Sequence, residues 1–264
     1  MITSVANARV KQVVQWQSKA RERKKDKIYL VEGFKMYEEA PEEDILDVYV
    51  SEDAVQKLDS GMAPDIWDKL QRTGYEVVSA DIFRKMSDTQ TPQGILTVLR
   101  QPVYDLEELL RKPTPLFVVL ENLQDPGNLG TIVRTGEGAG ITGVIMSEQT
   151  VDIFNPKTIR ATMGSIYRVP FVYVQDMKET LQKLHEHGVH TYAAHLQGST
   201  YYDTFSFSEP TAFLIGNEGN GLQKETADAA EAYLKIPMEG RVESLNAAIA
   251  TSLLMYEAHR QRRK

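Results

Sequence analysis

The chain has 264 residues, 42% hydrophobic and 25% charged, an ordinary globular composition that excludes wholesale disorder. It has no cysteine, which excludes disulfides, thiol nucleophiles and cysteine-ligated zinc. Its net charge of −7 argues against nucleic acid as a whole, but the sign is uneven: residues 1–27 hold eight Lys/Arg against Glu22 and Asp26, so a small cationic face sits on an acidic body.

In chain order, Val10, Val13 and Val14 fall at helical spacing and predict a helix over roughly 5–24 with a basic C-terminal end. Strand is expected at 28–31, closed by Gly33, then helix at 34–40, strand at 45–50, helix at 64–72, and strands at 75–79 and 95–100. These make a small α/β sandwich over 1–100. Residues 101–113 hold two of the three prolines found between 101 and 115 and read as a linker. Beyond it, apolar runs at 116–120, 143–147, 170–174, 191–195, 212–215 and 233–236 have the character of buried, mostly parallel strands. Helices are expected near 128–139, 156–164, 176–187, 221–231 and 244–262. The last puts Leu245, Ala248, Ile249, Ser252, Leu253 and Tyr256 on one face. The N-terminus lacks an apolar signal core and no segment approaches a membrane span, so a cytoplasmic protein is expected.

Three segments carry the chemistry. Asn122-Leu-Gln-Asp-Pro-Gly-Asn-Leu-Gly-Thr-Ile-Val-Arg134 joins a strand to a helix through a glycine loop, a junction that exposes backbone N–H groups; Asp125 or Asn128 can cap that helix, and Arg134 lies one to two turns inside it. Leu214-Ile-Gly-Asn-Glu-Gly-Asn-Gly-Leu222 follows a strand, and its glycines permit close backbone approach to a ligand; its spacing is not that of a dinucleotide fingerprint. Ile236-Pro-Met-Glu-Gly-Arg-Val-Glu-Ser-Leu-Asn246 leads into the terminal helix, with Ser244 a candidate N-cap. The five histidines have no metal-binding spacing, and Met146, Met163, Met238 and Met255 read as core.

Taken in order, the three segments resemble the signature motifs of the SpoU (TrmH-like) branch of the SPOUT RNA methyltransferases, over roughly 114–262. Ser4-x-x-Asn7-x-x-Val10-Lys11 and Tyr29-Leu-Val-Glu-Gly33 resemble, more loosely, the small substrate-binding domain that precedes many of those catalytic domains and is similar to kink-turn-binding ribosomal proteins. The resemblance implies an RNA-binding domain at 1–100, a linker at 101–113 and an α/β domain at 114–264 with a mostly parallel sheet, helices on both faces and a deep trefoil knot. It implies methyl transfer from S-adenosylmethionine (SAM) to a ribose 2′-hydroxyl of structured RNA, ribosomal RNA before tRNA, by a homodimer. Arg134, Asn128, Glu218, Ser244 and Asn246 are then the catalytic set. SAM is then held around Leu214, Gly216, Asn217, Gly219, Ile236, Met238 and Leu245. No metal is needed, because the sulfonium is already activated. Arg21, Arg23, Lys24 and Lys25 are the expected phosphate contacts. A non-catalytic RNA-binding or ribosome-assembly factor on the same fold is the alternative reading, and a small-molecule nucleotide enzyme is disfavoured by the basic N-terminal segment.

Overall fold

The computed structural model describes residues 1–263. The chain folds as two compact units: residues 1–102 with 154–167, and residues 103–153 with 168 onward.

The first unit opens with a broken helix. α1 (Ala8–Ser18) starts at Asn7, whose side chain accepts the Arg9 N–H, and stops at Lys19, which is extended at φ −127°. α2 (Ala20–Asp26) then begins a new direction. The single helix expected over 5–24 fails because Arg23 folds inward. Its Nη1 donates to the carbonyls of Trp16 at 2.6 Å and Gln17 at 3.2 Å, filling acceptors that the end of α1 leaves unpaired. Trp16 Nε1 donates to Asp26 at 2.7 Å and closes the helical hairpin. At 3% exposure, Arg23 therefore leaves the expected phosphate-facing set, whereas Arg21, Lys24 and Lys25 are exposed.

Next come β1 (Ile28–Glu32), α3 (Phe34–Glu39), β2 (Ile45–Ser51), α4 (Glu52–Asp59), α5 (Pro64–Thr73), β3 (Glu76–Val78), α6 (Ala80–Met86) and β4 (Ile95–Arg100). The four strands form one sheet in the order β1-β4-β2-β3, with β4 antiparallel to both neighbours and β3 parallel to β2. Strand alternation splits its apolar residues between two faces. Ile28, Leu30, Tyr49, Leu96 and Val98 pack with Val10, Val13 and the α6 residues Ile82 and Phe83. Val48, Val50 and Ile95 pack with Tyr37, Leu58, Ile66 and Leu70. The unexpected α4 is capped by Ser51, whose Oγ accepts the Ala54 N–H at 3.2 Å, and buries Ala54 and Leu58.

The second unit contains α7 (Leu106–Leu110), β5 (Leu116–Leu120), α8 (Pro126–Ala139) and β6 (Gly143–Ser147). α9 (Pro156–Thr162) follows in the chain and packs within the first unit, where Phe154 meets Tyr29 with ring centroids 4.9 Å apart and Arg160 pairs with Asp88 at 2.6 Å. The second unit resumes with β7 (Phe171–Val174), α10 (Met177–Glu186), β8 (His190–Ala194), β9 (Thr200–Tyr201), β10 (Thr211–Ile215), α11 (Lys224–Asp228), β11 (Ala232–Lys235) and α12 (Ala247–Arg262). The stretch read as a linker carries α7, a short helix whose Leu109 and Leu110 join the core around Phe117, Ile145 and Leu214.

Seven strands lie in the order β7-β6-β5-β10-β8-β11-β9, every neighbour parallel. All five residues of β5, β6 and β10 are buried, as expected of strands covered on both faces. The chain runs outward from β5 through β6 to β7, then returns and inserts β10 beside β5. The strand order reverses there, and the carboxyl ends of strands at such a reversal are where parallel α/β sheets generally take ligands.

α12 has two apolar faces where one was expected. Ala248, Thr251, Leu254, Met255 and Ala258 are buried. Ile249, Leu253 and Tyr256 are 51%, 39% and 48% exposed. Both sets satisfy three- and four-residue spacing, so periodicity alone merges them. Met146 and Met255 are core, whereas Met163 is 44% exposed and Met238 half-buried. Among the described residues no helix is long and apolar enough to cross a membrane.

Candidate active site

β5 ends at Leu120, and two residues later Asn122 turns the chain in the left-handed region, φ +58°. Ser147, at the end of neighbouring β6, holds this turn: its Oγ accepts the Asn122 N–H at 2.9 Å and donates to Asn122 Oδ1 at 2.9 Å. Of the two candidate caps for α8, Asp125 takes the position, its side chain accepting the Asn128 N–H at 2.8 Å. The Asn128 side chain is thereby left for other partners. Arg134 is exposed on α8, and its side chain makes no ion pair or hydrogen bond among the described residues.

After β10 the chain doubles back on itself. Asn217 and Gly221 exchange backbone hydrogen bonds of 3.0 and 2.8 Å. A Cβ on Gly216 would lie 2.0 Å from the Gly221 carbonyl carbon and 2.1 Å from the Leu222 nitrogen, so only glycine closes this loop. The Asn217 side chain is used internally: Oδ1 accepts from Gly219 and Asn220, and Nδ2 donates to the Asn122 carbonyl at 2.9 Å. Glu218 reaches across to the first segment. One oxygen accepts the Asp125 N–H and the Asn128 Nδ2, the other the Gln124 N–H, each at 3.0 Å.

The third segment joins through Asn246. It, rather than Ser244, caps α12, its Oδ1 accepting from Ala248 and Ile249. Ser244 lies two residues before the cap and is exposed. Asn246 Nδ2 donates to Asn128 Oδ1 at 2.9 Å. An unbroken line Asn246–Asn128–Glu218 thus ties together residues 90 and 118 positions apart. Three of the five expected catalytic residues meet in it, while Ser244 and Arg134 lie outside. Of the expected cofactor residues, Leu214 is buried in β10, Gly216, Asn217, Ile236, Met238 and Leu245 are half-buried, and Gly219 is exposed.

Burial pushes the Glu218 carboxyl up, but the hydrogen bonds from Asp125, Asn128 and Gln124 outweigh it and leave the group below the usual carboxylate range. Glu218 is therefore ionised at neutral pH with both oxygens occupied. Such a group is suited to orienting Asn128 and the loop before α8, and poorly suited to taking a proton. By contrast an exposed guanidinium without a protein partner can grip a phosphate or a developing alkoxide.

Sequence reading missed Glu121, Gln124 and Ser147. Glu121 had a signal: it is a lone carboxylate directly after an all-apolar strand, and it is 4% exposed. The histidines are elsewhere engaged, His185 with Thr191 at 2.7 Å and His190 with Glu231 at 2.8 Å. Among the described residues no group of three or more His, Asp or Glu is placed to hold a metal ion.

The SpoU rRNA Methylase family matches residues 115–256, and the MRM3-like substrate binding domain matches 7–97. The chain is 32% identical over 257 residues to the 23S rRNA (guanosine(2553)-2′-O)-methyltransferase RlmP of Bacillus subtilis, covering 97% of each chain. An rRNA methyltransferase from Sinorhizobium meliloti superimposes with a TM-score of 0.84 at 30% identity, over 98% of this chain and 96% of that one. The AdoMet-bound form of the Sinorhizobium meliloti enzyme gives 0.83 at 29% identity, over 98% and 97%.

Proposed function

The chain belongs to the SpoU rRNA methylase family, and on that premise we propose how its residues divide the work of 2′-O-ribose methylation. It is an RNA methyltransferase that uses SAM, and its RNA is ribosomal. The reading of its site rests on one observation: the Asn246–Asn128–Glu218 line, which gathers all three signature segments at the carboxyl edge of the parallel sheet.

The residues fit the cofactor. Gly216 lets the loop close tightly on Gly221 and Leu222, and Ile236, Met238 and Leu245 supply half-buried apolar groups for a flat base. We assign SAM to Leu214, Gly216, Asn217, Gly219, Ile236, Met238 and Leu245; Asn217 contributes through its backbone, since its side chain shapes the loop. SAM supplies a methyl group on a sulfonium, so the chain has to align the 2′-oxygen in line with it and stabilise that oxygen as its proton passes to solvent. Arg134 contacts the substrate, holding a phosphate and the oxygen that becomes the nucleophile. Asn128 and Asn246 each turn their second amide N–H to the reacting ribose, and Ser244, exposed two residues before Asn246, completes the substrate side. Glu218 positions Asn128.

Residues 1–100 form the RNA-binding domain, with Arg21, Lys24 and Lys25 as phosphate contacts; 101–113, which carry α7, lead into the SAM domain, made of the segment from 114 onward apart from 154–167 and bearing the family's trefoil knot. The exposed Ile249, Leu253 and Tyr256 on α12 form a homodimer face, and the enzyme works in the cytoplasm, where it meets ribosomal RNA. Replacing Ile249 and Leu253 with Glu is expected to convert the dimer to monomer by light scattering; a wild-type chain that is monomeric at micromolar concentration contradicts the dimer.

The function is tested with purified chain, SAM carrying a tritiated methyl, and separate ribosomal RNA and tRNA. Label is expected in ribosomal RNA, in an alkali-resistant dinucleotide, because a methylated 2′-oxygen cannot attack the neighbouring phosphate. Binding of SAM with no transfer to either RNA would favour a non-catalytic assembly factor.

A further inference from the structure

Glu121 belongs to none of the residues assigned above, yet it is a carboxylate buried to 4% exposure. An ionisable group in that position is costly unless its oxygens are occupied. Both are. One accepts the Gln223 N–H at 2.7 Å, and the other accepts a short hydrogen bond from Thr226 Oγ1. These partners are 102 and 105 residues away in sequence, just past the glycine loop that follows β10. The Glu121 N–H donates to the Ile215 carbonyl at 2.9 Å, extending the β5–β10 ladder to the loop's first residue.

Glu121 and Glu218 form a reciprocal pair. Glu218, in the second loop, grips backbone N–H groups of the first at Gln124 and Asp125; Glu121, at the root of the first, grips backbone of the second at Gln223. The loop between β10 and α11 is held at its tip by one carboxylate and at its base by the other. The base matters because Gly216 closes directly against Gly221 and Leu222, at distances that leave no room for a Cβ. Any shift of Leu222 and Gln223 moves the wall on which the Gly216 backbone rests.

We propose that Glu121 is a positioning residue for the cofactor, fixing through Gln223 and Thr226 the loop backbone that meets SAM; this rests on the assignment of SAM to the Gly216 loop. Glu121→Gln can keep both contacts, its carbonyl accepting from Gln223 and its amide donating to the Thr226 hydroxyl. Glu121→Met has similar length and keeps neither. The full-length chain carrying each change is assayed for KM for SAM, KM for ribosomal RNA, kcat and Tm, with SAM binding measured directly by calorimetry. Glu121→Met is expected to raise KM and Kd for SAM about tenfold or more, with kcat at saturating SAM and KM for RNA within about twofold. Glu121→Gln should stay within about threefold of wild type. Should Glu121→Met fail to fold, Thr226→Val removes one contact and is expected to raise KM for SAM about threefold. A fall in Tm with KM for SAM unchanged, or a Glu121→Gln as impaired as Glu121→Met, overturns the proposal. If the wild-type chain itself binds no SAM, the cofactor assignment fails instead.

Discussion

The loop junction of the second unit and the helical hairpin of the first use polar residues in opposite ways. At the junction, Asn122, Asn217, Glu218, Asn128 and Asn246 are committed to one another at 2.9–3.0 Å, and Arg134 alone of the expected site residues projects a charge without a protein partner. In the hairpin the side chains look interchangeable in sequence, Arg21-Glu-Arg-Lys-Lys25, but folding removes one of them. Arg23 is spent on the Trp16 and Gln17 carbonyls, while its neighbours stay in solvent. Charge in a run therefore says how much cation is present, and only the fold says which of it faces a ligand.

The sharpest break of this comparison is at Arg134. Arg134→Ala is expected to lower kcat/KM about a thousandfold, about 4 kcal/mol of transition-state stabilisation, with SAM affinity nearly unchanged by calorimetry. Turnover near wild type in that variant removes Arg134 from the substrate side. Glu218→Ala comes next. It leaves the Gln124 and Asp125 N–H groups and the Asn128 amide without their shared acceptor, and about a hundredfold loss of kcat/KM is expected together with a lower Tm.

Glu218 also gives a pH signature. Its folded-state pKa is depressed, so its stabilisation is present above the ordinary carboxylate range and is lost as pH falls through the folded value. The Tm difference between wild type and Glu218→Gln should be constant from about pH 6 to 8 and shrink in acid below about pH 4. A difference that grows in acid has the wrong sign for this account.

In the hairpin, two variants separate exposure from structure. Changing Arg21, Lys24 and Lys25 together to Gln should flatten the slope of log RNA affinity against log salt by up to about 2.7, from roughly 0.9 per phosphate contact, and leave SAM binding alone. Arg23→Gln should instead cost about 1–3 kcal/mol of stability in urea unfolding and leave the salt slope within error. Equal salt effects from both variants would erase the distinction between the two positions.

Much of this was legible beforehand. The strands Leu116–Leu120, Gly143–Ser147 and Ile95–Arg100 appear at their expected bounds, because continuous apolar runs between turn residues leave few alternatives. The expected elements omit α4 and α6, although Ser51 and the inward Ile82, Phe83 and Met86 mark them. The two-residue β9 is defined by its pairing with β11 alone and has no local signal. In the site, the three segments announced themselves, but their joining did not. Nothing in the spacing of Asn128, Glu218 and Asn246 places them side by side; that follows from β10 inserting next to β5. Ser244 and Asn246 are both good caps, and the helix takes the later one, whose amide can serve Ala248, Ile249 and Asn128 at once.

The most direct test is a map of 2′-O-methyl groups across the ribosomal RNA of cells that carry the gene, lack it, or carry only Arg134→Ala. The account predicts that a ribosomal ribose fully methylated in the first is bare in the other two, and is methylated again when the wild-type chain is restored. Ribosomal RNA methylation identical in all three would contradict it.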